Sequence, residues 1–211
     1  MRASADLRRD CPRPRTYPAH LPTLPDDTTY DRLRACCRGR VLDVGCGERP
    51  LGIGLDVIAG SGHVRGRAQA MPFADGCFDT VVSHLGLDVM TDLDRVLREI
   101  VRVLAPGGTF AAIVGGGPVA HGDDAYHALG RLLPAKTLGD RRVRDERTYR
   151  AYFSHVSCER IELHYRGWSI VWPTLSALAC DDSCRDALFD QVGDACEARV
   201  VTWLIRCAGS A

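Results

Sequence analysis

Apolar residues in the first half of the chain fall in short runs, each closed by a polar residue or a glycine. Runs of this kind are typical of strands that are buried in a parallel sheet. They predict strands at 41–44 and 51–57, a weaker one from Val64, and further strands at 78–85 and 109–114.

Helical spacing replaces this pattern from Asp92 onward. The apolar residues then recur every three or four positions until Ala105-Pro106-Gly107-Gly108, which is predicted to stop the helix. The members of this apolar face are Leu93, Val96, Leu97, Ile100, Val101 and Leu104. Alternating strands and helices predict an α/β fold with right-handed crossovers and a parallel sheet.

The two ends of the chain are less regular. Residues 1–25 are rich in proline, which predicts an arm followed by one domain over 26–211. Asp26 and Asp27 can cap a helix that runs through Tyr30 and ends near Gly39. The C-terminal part predicts helices at 124–133, 146–153 and 184–192 and strands at 159–165 and 198–207.

Composition narrows the class of protein. The chain has 211 residues, enough for one domain, and the charges of its 27 basic and 27 acidic residues cancel, which argues against a nucleic-acid partner.

No apolar run is long enough to span a membrane, and no secretory signal is visible, so we expect a cytoplasmic location and reduced cysteines. A single lysine and no asparagine suggest a bacterium with a GC-rich genome.

Asp43-Val44-Gly45-Cys46-Gly47 is a glycine turn after the first predicted strand, where a doubly wound sheet binds its ligand. Asp56 follows Gly45 by 11 positions, against about 20 between the first glycine and the ribose-binding acid of dinucleotide folds. Arg67 follows Asp56 by another 11. The first crossovers are therefore predicted to be shortened.

Four blocks occur in order along residues 40–115: VLDVGCGERP, GIGLDV, AQAMPFADGCFDTVVS and LREIVRVLAPGGTF. Together they resemble the class I S-adenosylmethionine-dependent methyltransferases, in particular their small-molecule, type 11-like branch. The resemblance implies a Rossmann-like, seven-stranded, mostly parallel sheet with an antiparallel last strand. It also implies that S-adenosyl-L-methionine binds across the tips of the first four strands.

The resemblance assigns roles along this edge of the sheet. The glycine turn would lie against the methionine part of the cofactor, Asp43 would reach its ammonium group, and Asp56 would accept from both ribose hydroxyls. The segment 68–71 would border adenine, and the end of the fourth strand would lie beside the methyl group. The implied cofactor residues are Asp43, Gly45, Cys46, Gly47, Asp56, Ala68, Gln69, Ala70, Met71, Ser83 and His84.

Two residues depart from the family pattern. Arg49 stands where the turn has a third glycine, and Arg67 stands where an aspartate often lies near adenine. The adenine amino group is then expected to be recognised by a main-chain carbonyl or by Gln69.

Three residues are candidate bases. His84 ends the fourth strand, Asp88 lies in the following loop, and His127 is predicted to share a helix face with Asp124. Each residue also has a purely structural interpretation. His84 would make a structural hydrogen bond, Asp88 would be a charge that the dipole of the next helix favours, and Asp124 would cap the helix that carries His127. We expect no metal.

The sequence thus predicts a methyltransferase that acts on a small molecule, with oxygen slightly favoured over nitrogen or sulfur, in specialised metabolism. A substrate cap is expected from 118–155 and 167–194, with Trp168 and Trp172 lining an apolar pocket. The expected partner is a small molecule, not a nucleic acid or a membrane, and both a monomer and a homodimer remain open. The alternative is a non-catalytic binding or scaffold protein with the same fold. A nicotinamide-dependent oxidoreductase is disfavoured because Pro50 replaces its third glycine.

Overall fold

The computed structural model describes residues 28–47, 49–58, 63–118, 123–132, 140–176 and 183–208. The predicted arm at 1–25 and its neighbours Asp26 and Asp27 lie outside these ranges. The strands are β1 (Val41–Val44), β2 (Ile53–Asp56), β3 (Val64–Arg65), β4 (Phe78–His84), β5 (Leu104–Pro118), β6 (His155–Arg166) and β7 (Glu197–Ala208). The helices are α1 (Thr28–Arg34), α2 (Leu93–Val103), α3 (Ala125–Leu132), α4 (Glu146–Arg150), α5 (Trp168–Ser176) and α6 (Ser183–Val192).

One seven-stranded sheet has the order β3-β2-β1-β4-β5-β7-β6. Strand β1 pairs in parallel with β2 and β4, and the pairs β2–β3 and β4–β5 are also parallel. The last strand, β7, is inserted between β5 and β6 and is antiparallel. The predicted α/β class and sheet are therefore confirmed.

The shortened crossovers are confirmed as well. Between β1 and β2, the described residues form turns and bends with no helix, and residues 66–77 likewise carry the chain from β3 to β4. The main-chain polar groups of these loops therefore need hydrogen-bond partners that helices and strands do not provide.

Helix α2 is amphipathic, as its spacing predicts. Asp92 is its N-cap and accepts from the amide of Arg95, while Leu93, Leu97 and Ile100 are fully buried. The helix ends at Val103, just before the segment predicted to stop it, but β5 begins at Leu104 instead of Thr109 and includes the Pro-Gly-Gly residues. A register shift between Phe78 and Thr80 of β4 accommodates this irregular start.

The described residues divide into two compact units. The sheet unit comprises 28–115, 138–161 and 203–208, and the helical unit comprises residues of 116–137 and 162–202. Each unit has its own apolar cluster, one around Leu97 and Phe110 and one around Leu129 and Leu188.

The C-terminal third differs most from its prediction. Segment 167–194 contains two helices, α5 and α6, although the sequence predicts one, and α4 ends at Arg150 instead of 153. Helix α5 was not predicted because its sequence WSIVWPTLS has no polar face, so its apolar residues show no helical periodicity. Strands β6 and β7 extend beyond the predicted 159–165 and 198–207. Within the described ranges, no helix has the length and apolar character needed to cross a membrane.

Candidate active site

The glycine turn after β1 has a backbone that side chains would not allow. Gly45 and Gly47 adopt φ angles of 70° and 57°. A Cβ atom on Gly45 would lie 2.7 Å from Met90 Cε and 3.2 Å from the Cα of Gly86, so the turn packs directly against the loop after β4. A Cβ on Gly47 would meet nothing within 4 Å, which leaves space beside that residue.

Asp43 is a buried carboxylate beside this turn. Its Oδ2 accepts from the amide of Leu51 at 2.9 Å, whereas its Oδ1 is buried with no protein partner. Burial raises the pKa of Asp43 to about 6, and the nearby charge of Asp56 adds to this effect. An unpaired buried carboxylate oxygen is costly, so the site calls for a donor at this atom.

Asp56 ends β2 and is joined to the turn. Its Oδ2 accepts from the amide of Gly47 at 3.1 Å, and its Oδ1 accepts from the amide of Ile58 at 2.9 Å. Each carboxylate oxygen has a second lone pair that can accept a further hydrogen bond. The carboxylate is therefore oriented before any ligand binds.

The thiol of Cys46 lies between the turn and the second strand. Its Sγ is 3.9 Å from Nδ1 of His63, and it would contact a Cβ on Gly54. Burial raises the pKa of this thiol to about 12, so it remains protonated and is not a nucleophile near neutral pH.

Side chains at the tip of β4 contact strand β1 and helix α1. Ser83 is fully buried, and its hydroxyl donates to the carbonyl of Val44 at 2.8 Å, which joins β4 to β1. His84 is only partly buried; its Nε2 is 3.0 Å from Oγ1 of Thr29, and its ring makes an edge contact with Tyr30. Helix α1 thus fixes the imidazole of His84.

Tyr30 also reaches the glycine turn. Its hydroxyl donates to the carbonyl of Arg49 at 3.0 Å, and the guanidinium of Arg49 lies 5.2 Å from the centre of its ring. The guanidinium of Arg49 is therefore stacked on an aromatic ring. Helix α1 connects the loop after β1 with the tip of β4.

The segment 68–71 forms a tight turn, with the amide of Ala70 donating to the carbonyl of Arg67. The side chains of Ala68 and Met71 are buried in the core. The Nε2 of Gln69 donates to the carbonyl of Thr91 at 2.6 Å, so this half of the side-chain amide holds the loop that contains Thr91.

Asp88 lies in the 3-10 turn Leu87–Val89 after β4. Its Oδ2 accepts from the amide of Gly115 at 2.9 Å, and burial raises its pKa to about 6 although the nearby charge of Arg144 opposes the shift. A carboxyl with this pKa can exchange a proton near neutral pH.

His127 belongs to the helical unit, whereas the other predicted site residues belong to the sheet unit. Its Nδ1 is 2.8 Å from Oδ1 of Asp124, and the same carboxylate accepts from the amides of His127 and Arg199. Asp124 therefore both pairs with the imidazole, as their shared helix face predicts, and caps the helix.

Sequence reasoning missed three residues of this edge, namely Thr29, Tyr30 and Gly86. A glycine one residue beyond the predicted fourth strand could have indicated Gly86, because a loop that faces a glycine turn needs a small residue. Nothing in the sequence pattern indicates that Thr29 and Tyr30 contact a strand more than 50 positions away.

Comparison with known proteins agrees with this geometry. Residues 55–112 match the family model described as a methyltransferase domain. The chain is 31% identical over 96 residues to the ubiquinone/menaquinone biosynthesis C-methyltransferase UbiE of Pasteurella multocida, a match that covers 46% of this chain and 36% of that enzyme. The chain therefore spans little more than a third of that relative's length.

Solved structures support the same fold. The Bacillus subtilis protein YcgJ aligns with a TM-score of 0.59 and 18% identity, covering 86% of this chain and 97% of that one. The [4+2]-cyclase SpnF aligns with a TM-score of 0.54 and 18% identity, covering 88% and 82%. Residues 55–112 are thus similar in sequence to methyltransferase domains, and the fold is similar to that of the two solved structures.

Proposed function

We propose that this chain is an S-adenosylmethionine-dependent methyltransferase that acts on a small molecule. The observation that carries the proposal is the group formed by Asp43, the glycine turn and Asp56 at the carboxyl ends of β1 and β2. A doubly wound sheet binds its ligand at this edge.

The residues present suit the cofactor. The unpaired Oδ1 of Asp43 would take the ammonium group of the methionine part, the open space beside Gly47 would admit its chain, and Asp56 would take the ribose hydroxyls. S-adenosyl-L-methionine supplies a methyl group on a sulfonium centre that already has a neutral leaving group. The protein then has to hold the acceptor in line and remove its proton where it carries one.

Asp56→Ala tests the cofactor site. Calorimetry with S-adenosylmethionine should show binding weakened by about 100-fold, because two hydrogen bonds to a charged acceptor are lost. Asp79→Ala is the matched control, since Asp79 also accepts from a backbone amide, that of Arg40, but near the start of β4 at the opposite edge of the sheet. Equal affinity for the wild type and Asp56→Ala would remove this assignment.

A second proposal concerns the atom of the substrate that accepts the methyl group. We retain oxygen ahead of nitrogen or sulfur, in specialised metabolism, and add carbon because the curated relatives are named C-methyltransferases. Methylation of a hydroxyl oxygen, and of a carbon activated as a phenolate, both require the removal of a hydroxyl proton, whereas an enolate forms by loss of the C–H proton beside a carbonyl. Labelled methyl incorporation into a metabolite extract would identify the acceptor, and label in protein or RNA alone would contradict a small-molecule substrate.

The candidate bases can be ranked. Asp88 comes first, because its pKa of about 6 suits proton removal near neutral pH, followed by His84 and His127. Replacing the base, with Asn for Asp88 or Ala for either histidine, should lower kcat by 100-fold or more, with little change in cofactor affinity. If all three variants keep full turnover, the acceptor loses its proton without help from these residues.

The alternative is a non-catalytic binding or scaffold protein. The alignment with a protein named a cyclase makes a direct assay necessary, because this fold does not by itself imply methyl transfer. Tight cofactor binding without methyl transfer to any extract fraction would favour the alternative.

A further inference from the structure

Residues 69–75 begin within the turn of 68–71, which is expected to border the adenine end of the proposed cofactor site. This segment has no helix or strand of its own apart from the single bridge between Arg67 and Ala70. Its main-chain groups must therefore find partners elsewhere. Side chains of helix α2 provide them.

Arg95, Glu99 and Arg102 form one polar face of α2, because they are spaced by four and three positions. The Nε of Arg95 donates to the carbonyl of Gln69 at 2.8 Å, and the Oε2 of Glu99 accepts from the amide of Met71 at 2.6 Å. The Nη2 of Arg102 donates to the carbonyl of Met71 at 3.0 Å. Both main-chain groups of Met71 are thus bound by α2.

Arg102 extends this contact along the segment. Its Nη1 donates to the carbonyl of Phe73 at 2.8 Å and to the carboxylate of Asp75 at 2.6 Å. Its Nε and Nη2 also form a two-pronged pair with Glu99, with both distances at 2.8 Å. The Glu99 and Arg102 side chains are 18% and 30% exposed, so solvent competes only weakly for these bonds.

We propose that Glu99 and Arg102 are positioning residues that set the affinity of the site for the adenine end of the cofactor. The inference rests on the proposed function. Because Arg67 replaces the family's aspartate, the adenine amino group is expected to donate to a main-chain carbonyl of 68–71 or to the Oε1 of Gln69, whose Nε2 is held by Thr91. Main-chain recognition is only as good as the position of the main chain, which α2 fixes.

Two variants test this inference. Glu99→Gln keeps the size of the side chain but turns one acceptor oxygen into a donor, so Gln cannot bind both Arg102 and the Met71 amide as before. Arg102→Lys keeps the charge but loses the fork that reaches five acceptor oxygens. The matched control is Asp94→Asn, because Asp94 lies on the same helix and accepts from Arg142 and Tyr152, away from segment 69–75.

The measurement is calorimetry with two ligands, S-adenosylhomocysteine and methylthioadenosine, at a temperature where every variant is folded. We expect Glu99→Gln to lose about tenfold in affinity for both ligands, since both carry adenine, and Arg102→Lys to lose less. Asp94→Asn should change neither affinity by more than twofold. Asp43→Asn should weaken only S-adenosylhomocysteine, which alone carries the amino-acid part. With saturating cofactor, kcat of Glu99→Gln should stay at the wild-type value while KM for the cofactor rises.

A purely structural role gives a different result. If Glu99→Gln and Asp94→Asn lower the melting temperature alike and leave both affinities unchanged, the proposal is wrong. A loss confined to S-adenosylhomocysteine would also overturn it, because the effect would then lie at the amino-acid end. If Glu99→Gln does not fold, Arg102→Lys decides by the same criteria. A wild-type protein that binds neither ligand contradicts the proposed function itself and not only this inference.

Discussion

At the scale of single residues, Asp43 couples protonation to folding. Its carboxyl is 1% exposed and has a pKa of about 6 in place of 3.8, so the folded state binds a proton more tightly than the unfolded chain. The carboxyl therefore destabilises the fold once it is ionised, and this cost grows as the pH rises from about 4 to about 6. A shift of this size corresponds to about 3 kcal/mol.

Asp43→Asn should remove that dependence. The variant keeps an acceptor for the Leu51 amide but carries no charge, so its free energy of unfolding relative to wild type should rise by about 2 to 3 kcal/mol between pH 4 and pH 7.5. Urea denaturation at the two pH values measures the difference. Parallel changes in the two proteins would mean that the carboxyl titrates at its ordinary pKa.

At the scale of secondary structure, the sequence pattern located the elements whose burial has a simple period. Strands β1, β2 and β4 and helix α2 lie within three residues of their predicted bounds, because a buried parallel strand and an amphipathic helix each have a recognisable pattern. Helix α5 was missed because it is apolar throughout, and the start of β5 because its glycines and proline are typical of a loop.

The residues of the candidate site likewise divide into those that a local sequence pattern predicts and those that it does not. The glycine turn and Asp56 were found because their spacing is local, and Asp56 does bind the turn through Gly47. The contacts of Tyr30 with Arg49 and His84, and of Glu99 with Met71, join residues 19 to 54 positions apart. Such contacts arise from packing between elements, which periodicity does not encode.

At the scale of the whole molecule, the predicted site residues are divided between the two compact units. Every predicted cofactor residue belongs to the sheet unit, whereas Trp168 and Trp172, whose rings stack at 5.6 Å, belong to the helical unit. Phe189 contacts Trp168 edge-on and is 41% exposed, which gives this unit an accessible aromatic surface. We propose that these aromatic side chains hold the methyl acceptor.

Leu129→Ala tests whether cofactor binding and acceptor binding depend on different units. Leu129 is 1% exposed in the apolar cluster of the helical unit, so its truncation should cost about 2 to 5 kcal/mol of stability. Affinity for S-adenosylhomocysteine should nevertheless stay within twofold of wild type, while turnover of the acceptor falls. Leu97→Ala is the control, because Leu97 is buried in the same cluster as Ala68 and Met71, so its truncation should weaken cofactor binding as well. Equal losses of cofactor affinity in the two variants would show that the cofactor site depends on the packing of both units, and the acceptor assignment would then lose its support.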